Sequence, residues 1–337
     1  MVAAATLQCK DDGGAPVDWW VAVKEPSGTG YYYGDSNGGD SFQRSPNSMN
    51  DTTVGALAST LRQIWNSPIS AYILWNDEPP ANTGYNFSYG HTKAALAIDT
   101  GVATGFWLTH SIPLFPAGPA LTSTYAGLGS NAWTYAQSAA CFSLGATDID
   151  ALAKTLQLNR PQIYDTGGPL ESTSVAFQAL ATGEWRGDAI CERTAIGPLT
   201  LFAKTSAWNA DLWSACVAPA VKSDLWVESW LRGSEEGPAC SGQWKTLDVE
   251  SLAWDWSETS SNLRGYKPIH LSPNWSEQSD HSKWAVAPNA TLPTLCIGDI
   301  NRMTTQYARA GGAVCWQTPL AITFITAITS KNKCVRI

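Results

Sequence analysis

His91-Thr-Lys-Ala-Ala-Leu-Ala and His281-Ser-Lys-Trp-Ala-Val-Ala are the two stretches on which the reading of this chain turns. Both fit His-[Ser/Thr]-Lys-x-Ala-[Leu/Val]-Ala, and they begin 190 residues apart, at 91 and 281. The chain holds only four histidines in 337 residues, and two of them stand two places before a lysine. Each stretch reads as a strand, where residues i and i+2 share a face, so His91 projects with Lys93 and His281 with Lys283. A repeat at this distance, with no short solenoid period beside it, predicts two similar halves related by a pseudo-two-fold axis. The expected architecture is mixed α/β (α+β): each half is a sheet flanked by helices, residues 1–145 and 146–337, fused into one unit with the two motifs meeting between them.

Working outward, Val17–Lys24, the turn Ser-Gly-Thr-Gly and Tyr31–Tyr33 form a hairpin pattern. Val54, Leu57, Leu61, Ile64 and Trp65 follow helical spacing, with Asp51 or Thr52 as N-cap. Ala71–Trp75 reads as a buried strand that runs into Asn76-Asp77-Glu78-Pro79-Pro80, a set of turn formers. Phe106–His110 is a second strand after the first His-x-Lys, and residues 121–150 are expected to include the crossover between halves. Helical patterns follow near Asp150–Leu156 and Ser174–Ala181, then the strand Thr294–Gly298. Asp11-Asp12-Gly-Gly reads as a solvated loop, His270 as structural or exposed, and Asp148 and Asp150 as too isolated for a metal site.

Composition narrows the class. Hydrophobic residues make up 44% of the chain and charged residues only 15%, with 17 Trp, which are read mainly as core. Eight cysteines with no Cys-x-x-Cys pair and no zinc spacing point to disulfides in an oxidising compartment, lysosomal, periplasmic or extracellular. Sequons begin at Asn50, Asn86, Asn274 and Asn289, usable only in a eukaryotic secretory pathway. The N-terminal MVAAATLQCK lacks the basic segment and apolar run of a signal peptide, so export implies a leader absent from this sequence. The longest apolar run near the end, Leu320–Ile328, is too short for a membrane span. A net charge of −8 opposes general nucleic-acid binding but leaves room for a local basic groove, and full protonation of the four histidines reduces it to −4.

Two His-Lys pairs in one cleft suit phosphodiester cleavage. A neutral imidazole can attack phosphorus, a protonated one can donate to the leaving oxygen, and the lysines can hold the non-bridging oxygens. A bell-shaped pH profile is expected from such a coupled pair.

Gly90-His-Thr-Lys, Asp280-His-Ser-Lys-Trp and Gly298-Asp-Ile-Asn-Arg resemble signature stretches of deoxyribonuclease II, a family of the phospholipase D superfamily. Pro16-Val-Asp-Trp, Asn76-Asp-Glu-Pro-Pro, Phe106-Trp-Leu-Thr-His-Ser-Ile-Pro and Thr134-Tyr-Ala-Gln are similar too, in the family's order, while residues 145–200 match less well. The resemblance implies two phospholipase D-like halves and metal-independent, cofactor-free cutting of DNA at acid pH. It implies a phosphohistidine intermediate, 3′-phosphate and 5′-hydroxyl ends, and a homodimer that clamps duplex. It suggests His91 as nucleophile and His281 as general acid, and the sequence by itself leaves the exchanged roles open. Asn301 matches the superfamily Asn after the second motif; His110 matches a family histidine and is assigned the equivalent place in the first half, though the end of an apolar strand also suits a core histidine. The superfamily's Asp follows its Lys after four residues, whereas Asp99 follows Lys93 after five and no Asp stands there after Lys283. The family's cysteine framework implies Cys9–Cys141, Cys240–Cys334 and Cys296–Cys315, which leaves Cys191 and Cys216 for a fourth bridge. Two rival readings remain: another phospholipase D-type phosphodiesterase, acting on phospholipid or RNA, and a non-catalytic secreted carbohydrate-binding protein that uses its tryptophans.

Overall fold

Both sheets of this protein are apolar on both faces, so each needs cover on two sides. The structure, a computed structural model, describes residues 6–67, 70–80, 86–233, 235–254 and 274–334. The first sheet contains β1 (Trp19–Lys24), β2 (Tyr31–Asp35), β3 (Gln43–Arg44), β4 (Ser70–Asn76), β5 (Lys93–Asp99), β6 (Thr104–His110), β7 (Gln137–Gly145) and β8 (Ile163–Gly167). Its order is β3-β2-β1-β7-β6-β5-β4-β8. The second contains β9 (Cys191–Ile196), β10 (Leu199–Lys204), β11 (Leu225–Glu228), β12 (Thr246–Ala253), β13 (Asn274–Ser276), β14 (Trp284–Ala287), β15 (Thr294–Gly298), β16 (Gly311–Gln317) and β17 (Ile328–Lys331). Its path is β13-β12-β11-β14-β15-β16-β10-β9, with β17 paired to β12. The α-helices are α1 (Ala56–Asn66), α2 (Ala146–Leu156), α3 (Val175–Ala181), α4 (Ala218–Val221) and α5 (Leu320–Ala327).

Alternation along each strand builds three cores. In β5, Ala94, Leu96 and Ile98 face the second sheet and join Trp284, Val286, Leu295, Ile297 and Val314 in one continuous cluster. Ala95 and Ala97 face the other way, into a cluster closed by Ala56, Leu57, Leu61 and Ile64 of α1. In β14 the odd residues Ala285 and Ala287 turn outward to Trp213, Val217 and Ala218, where the π-helical turn Trp213–Val217 runs into α4. The molecule is thus layered helix, sheet, sheet, helix, with α2, α3 and α5 closing the edges of the middle core.

A five-strand path recurs. The antiparallel run β1-β7-β6-β5-β4 of the first sheet has the same order and chain sense as β10-β16-β15-β14-β11 of the second. This is consistent with two halves of one design. The division drawn at 145/146 leaves β8 beyond it, although β8 pairs with β4 in the first sheet.

Several local expectations change. α1 begins at Ala56 with Gly55 as N-cap and no side-chain cap, because Asp51 is engaged by the N–H groups of Thr53 and Val54 in the preceding turn. Residues 121–150 hold β7, a central strand, as well as loop. Asp12 is a hub rather than a solvated loop residue: it accepts the hydroxyls of Tyr31 and Ser45, and Ala56 N at 3.1 Å. His91, His281 and Lys283 stand just before their strands, which start at Lys93 and Trp284. His270 lies outside the described residues. Disulfides join Cys9–Cys141, Cys191–Cys216, Cys240–Cys334 and Cys296–Cys315. No described helix is long and apolar enough to cross a membrane.

Gly90 sits where the halves touch. A Cβ there would lie 1.9 Å from the Asn159 carbonyl oxygen and 2.9 Å from that of Ala310, so only glycine fits. Gly90→Ala is expected to push the His91 loop off the second half and to cost about 1–3 kcal/mol of stability. Denaturant unfolding of the variant beside wild type measures this.

Candidate active site

Each His-x-Lys is tied by its own backbone to the other half. His91 N–H donates to Ala310 O at 2.8 Å, just before β16, and His281 N–H donates to Ala136 O at 2.9 Å, just before β7. β16 and β7 occupy matching places in the recurring path, so the two tethers are equivalent. The loops that supply those carbonyls are gripped from below by buried lysines. Lys24, the last residue of β1, donates to the carbonyls of Glu25, Gly28 and Trp133. Lys204, the last residue of β10, donates to those of Gln306, Tyr307 and Arg309. Burial lowers the pKa of both to about 8, opposed mainly by Asp280 at Lys24 and by Asp211 at Lys204.

The outcome is one cavity of about 280 Å³ that His91, Lys93, His281, Lys283 and Asn301 all line, with Arg232 and Gln306 beside them. Lys283 Nζ donates to His281 O at 2.7 Å, which folds the second motif back on itself. Burial, then the nearby Lys93, pushes the Lys283 ammonium down to about 8. Asn301 is held by its neighbour: Arg302 is fully buried and bound to Asp211 and Asp248, and its N–H donates to Ser229 Oγ at 3.0 Å. Among the described residues, His281 Nε2 and Asn301 Oδ1 are buried and have no protein partner. Buried polar groups are nearly always satisfied in native proteins, so such orphans at a cavity point to a ligand.

The carboxylates differ from those expected. Asp99 sits at the far end of β5 from Lys93, roughly 20 Å away at strand rise, and accepts Gly101 and Val102 N–H groups in the β5–β6 turn. Its sixth place after Lys93 carries it the whole length of the strand. Asp77 takes the site instead. β4 runs antiparallel to β5 with Asn76 opposite Lys93, which brings the next residue over the first motif. Asp77 Oδ1 accepts Lys93 Nζ, and Oδ2 lies 3.1 Å from Arg309 Nη2 and 3.9 Å from His91 Nε2. Burial alone would raise this carboxyl, but Lys93, His91 and Arg309 hold it well below the usual carboxylate range. Asp299 lies beneath the lysines, and burial raises it to about 7.

His110 is not the counterpart of Asn301. The β5–β6 register sets it opposite Lys93, as the β14–β15 register sets Gly298 opposite Lys283, three residues short of Asn301. It is buried under the cavity, accepts Ile112 N–H at 3.2 Å and packs edge-on against Phe115. Burial and Lys93 depress its pKa to about 3.

The deoxyribonuclease II family model matches residues 8–334. The chain belongs to the deoxyribonuclease II family. It is 34% identical to deoxyribonuclease-2-alpha of Mus musculus over 94% of this chain and 90% of that one. Against deoxyribonuclease-2-alpha of Sus scrofa the identity is 33%, over 94% and 88%. Against deoxyribonuclease-2 of Caenorhabditis elegans it is 29%, over 98% and 94%. Within this member of the family, Asp77 had a legible signal, a carboxylate directly after a wholly buried strand. Tyr135 lay in a family-like stretch, whereas Trp230, Arg232, Gln306 and Arg309 had none.

Lys24→Met and Lys204→Met would each take the ammonium donor from three carbonyls. Each is expected to lose about 3–5 kcal/mol of stability, and activity should fall further than stability explains because a tether loop loosens. Denaturant melts paired with turnover at a temperature where both variants stay folded check this.

Proposed function

We propose that this protein, a DNA-hydrolysing nuclease by family, cuts DNA endonucleolytically through a phosphohistidine intermediate, with 3′-phosphate and 5′-hydroxyl products. The observation that carries the reading is the convergence of both His-x-Lys motifs on one cavity where His281 Nε2 has no protein partner. A phosphodiester drawn into that cavity would meet two imidazoles, two ammonium groups and Asn301. One imidazole, neutral, forms a bond to phosphorus; the other, protonated, donates to the leaving 5′ oxygen and then takes a proton from water. Lys93 and Lys283 would stabilise the charge that builds on the non-bridging oxygens, as positioned cations do in phosphoryl transfer. These groups supply acid, nucleophile and charge together, which supports activity without a metal.

The sign of the shifts supports acid activity. Burial pushes His91 well below its usual value, as it does His281, so the protonated acid becomes abundant only as pH falls. The net charge of −8 would hinder DNA at neutral pH, and the local cations Lys93, Lys283 and Arg232 offset it at the cavity. Four disulfides support an oxidising, exported location. The carbohydrate-binding alternative loses its main feature, since Trp20, Trp75, Trp213, Trp254 and Trp284 are fully buried and Trp133 is the one tryptophan among the exposed large hydrophobics described.

Supercoiled plasmid incubated in excess EDTA at pH 5 and pH 7.5 provides the test. Wild type should nick and linearise it faster at pH 5, with new ends that a kinase labels at the 5′ side without prior phosphatase. His91→Ala and His281→Ala should each lose at least about a thousandfold in rate. A well-folded wild type that leaves plasmid intact under both conditions would overturn the nuclease reading.

A further inference from the structure

The backbone of the site is two-fold, but its chemistry is not. Asn76 stands opposite Lys93 in the β4–β5 register. Glu228 stands opposite Trp284 in the β11–β14 register, so Ser229 falls at the place opposite Lys283. One residue further on, Asp77 and Trp230 therefore occupy matching positions. The carbonyls that accept the histidine N–H groups belong to Ala310 and Ala136, so the residues before them, Arg309 and Tyr135, match as well. An ion pair, Asp77 with Arg309 at 3.1 Å, flanks the first histidine where two aromatic rings flank the second.

We infer that the two histidines have fixed and different roles: His281 is the nucleophile that carries the phosphoryl group, and His91 is the general acid and base, positioned by Asp77 and Gln306. This rests on the phosphohistidine reading above.

His91 is built to hold a second proton. Its Nδ1 lies 2.8 Å from Gln306 Oε1, which would accept Nδ1–H. Its Nε2 lies 3.9 Å from Asp77 Oδ2, close enough to favour an imidazolium but too far to bind Nε2–H, which stays available to the leaving oxygen. Burial, with Lys93, Arg309 and Lys283, holds its pKa well below the usual value, Asp77 opposes them, and an incoming phosphate anion adds to Asp77. His281 has no such support. Its ring is stacked on Tyr135 with centroids 4.3 Å apart and planes 10° apart, and Trp230 covers it at 3.8 Å. Arg232 lies over both of those rings, at 5.2 Å from Tyr135 and 5.5 Å from Trp230, so a cation already occupies the aromatic surface. Burial, then Lys283, Lys93, Arg232 and Lys24, depresses the imidazole to about 2 and so keeps the ring neutral, and in the Nδ1–H tautomer the unpartnered Nε2 offers its lone pair. The stacking fixes the ring plane, which aligns that lone pair and leaves a phosphorylated ring no room to rotate.

The steps balance. The His281 Nε2 lone pair forms the N–P bond, the P–O5′ bond breaks, and the proton of the His91 imidazolium goes to O5′. Neutral His91 then removes a proton from water, whose oxygen attacks phosphorus as the N–P bond breaks. The 3′-phosphate leaves, His281 is neutral again and His91 is again protonated.

The test uses an oligonucleotide whose scissile 5′ bridging oxygen is replaced by sulfur, beside the all-oxygen strand. A thiolate leaves without a proton, so loss of the acid should matter little for the first step. The first turnover of His91→Asn on the sulfur substrate should recover to within about tenfold of wild type, from a loss of about a thousandfold on the oxygen substrate. His281→Asn should remain inactive on both. Asp77→Asn should follow His91→Asn, with a smaller deficit that the sulfur substrate removes and the alkaline limb of its rate profile moved to lower pH. A base-quenched peptide map of wild type during turnover needs no variant, and it should find the phosphoryl group on His281. Label on His91, or rescue of His281→Asn instead of His91→Asn, would overturn the assignment. Cleavage by wild type with label on neither histidine would overturn the phosphohistidine reading itself.

Discussion

Two backbone hydrogen bonds, His91 N–H to Ala310 O and His281 N–H to Ala136 O, are the constraint on which the rest of the site depends. A hydrogen bond of this kind contributes only about 1 kcal/mol net, yet these two decide position rather than stability. Each fixes the residue two places before its lysine against the opposite half, so neither half can present its motif correctly alone. Gly90 exists to let the chain come that close, with Asn159 O and Ala310 O against its α-carbon. Lys24 and Lys204 extend the same constraint downward: Lys204 binds three carbonyls of the loop that carries the Ala310 tether, and Lys24 joins the β1–β2 turn to Trp133 O in the loop that carries the Ala136 tether.

On that two-fold frame the side chains differ where chemistry needs them to. The proposed hydrolysis through a covalent intermediate requires one imidazole that attacks as the neutral ring and one that cycles a proton, and identical environments would give two equal histidines. Replacing Asp77 and Arg309 by Trp230 and Tyr135 at matching positions breaks the equality without moving the backbone. The same economy explains how a chain of net charge −8 can handle a polyanion. Three of its 21 Lys and Arg, namely Lys93, Lys283 and Arg232, line the cavity and set a local positive charge there.

The motif repeat and its strands were legible because they rest on local signals: period-two alternation, a rare residue type used twice, and turn formers at the ends. The helix near Ser174 was legible for the same reason, since Ser174 caps it through Phe177 N–H. What failed was long-range. Asp99 is near Lys93 in sequence but strand rise carries it away, and Asp77 is distant in sequence but antiparallel pairing brings it back. Gln306 and Arg309 are brought to the site by a loop that Lys204 grips, and Trp230 by the segment after β11, and no spacing rule encodes either. His110 shows the opposite limit: its rarity drew attention, but the register puts it under the cavity, opposite Lys93, rather than beside Asn301.

The central claim is that both halves serve a single reacting phosphate. The most direct measurement is a double-mutant cycle in kcat/KM for DNA cleavage, with His91→Ala, His281→Ala and the two combined. If the histidines act as one unit, either single change should remove nearly all activity and the double variant should be no worse than the poorer single. Two independent sites would instead leave each single variant with about half of the wild-type rate, abolished only in the double, and that result would contradict the account.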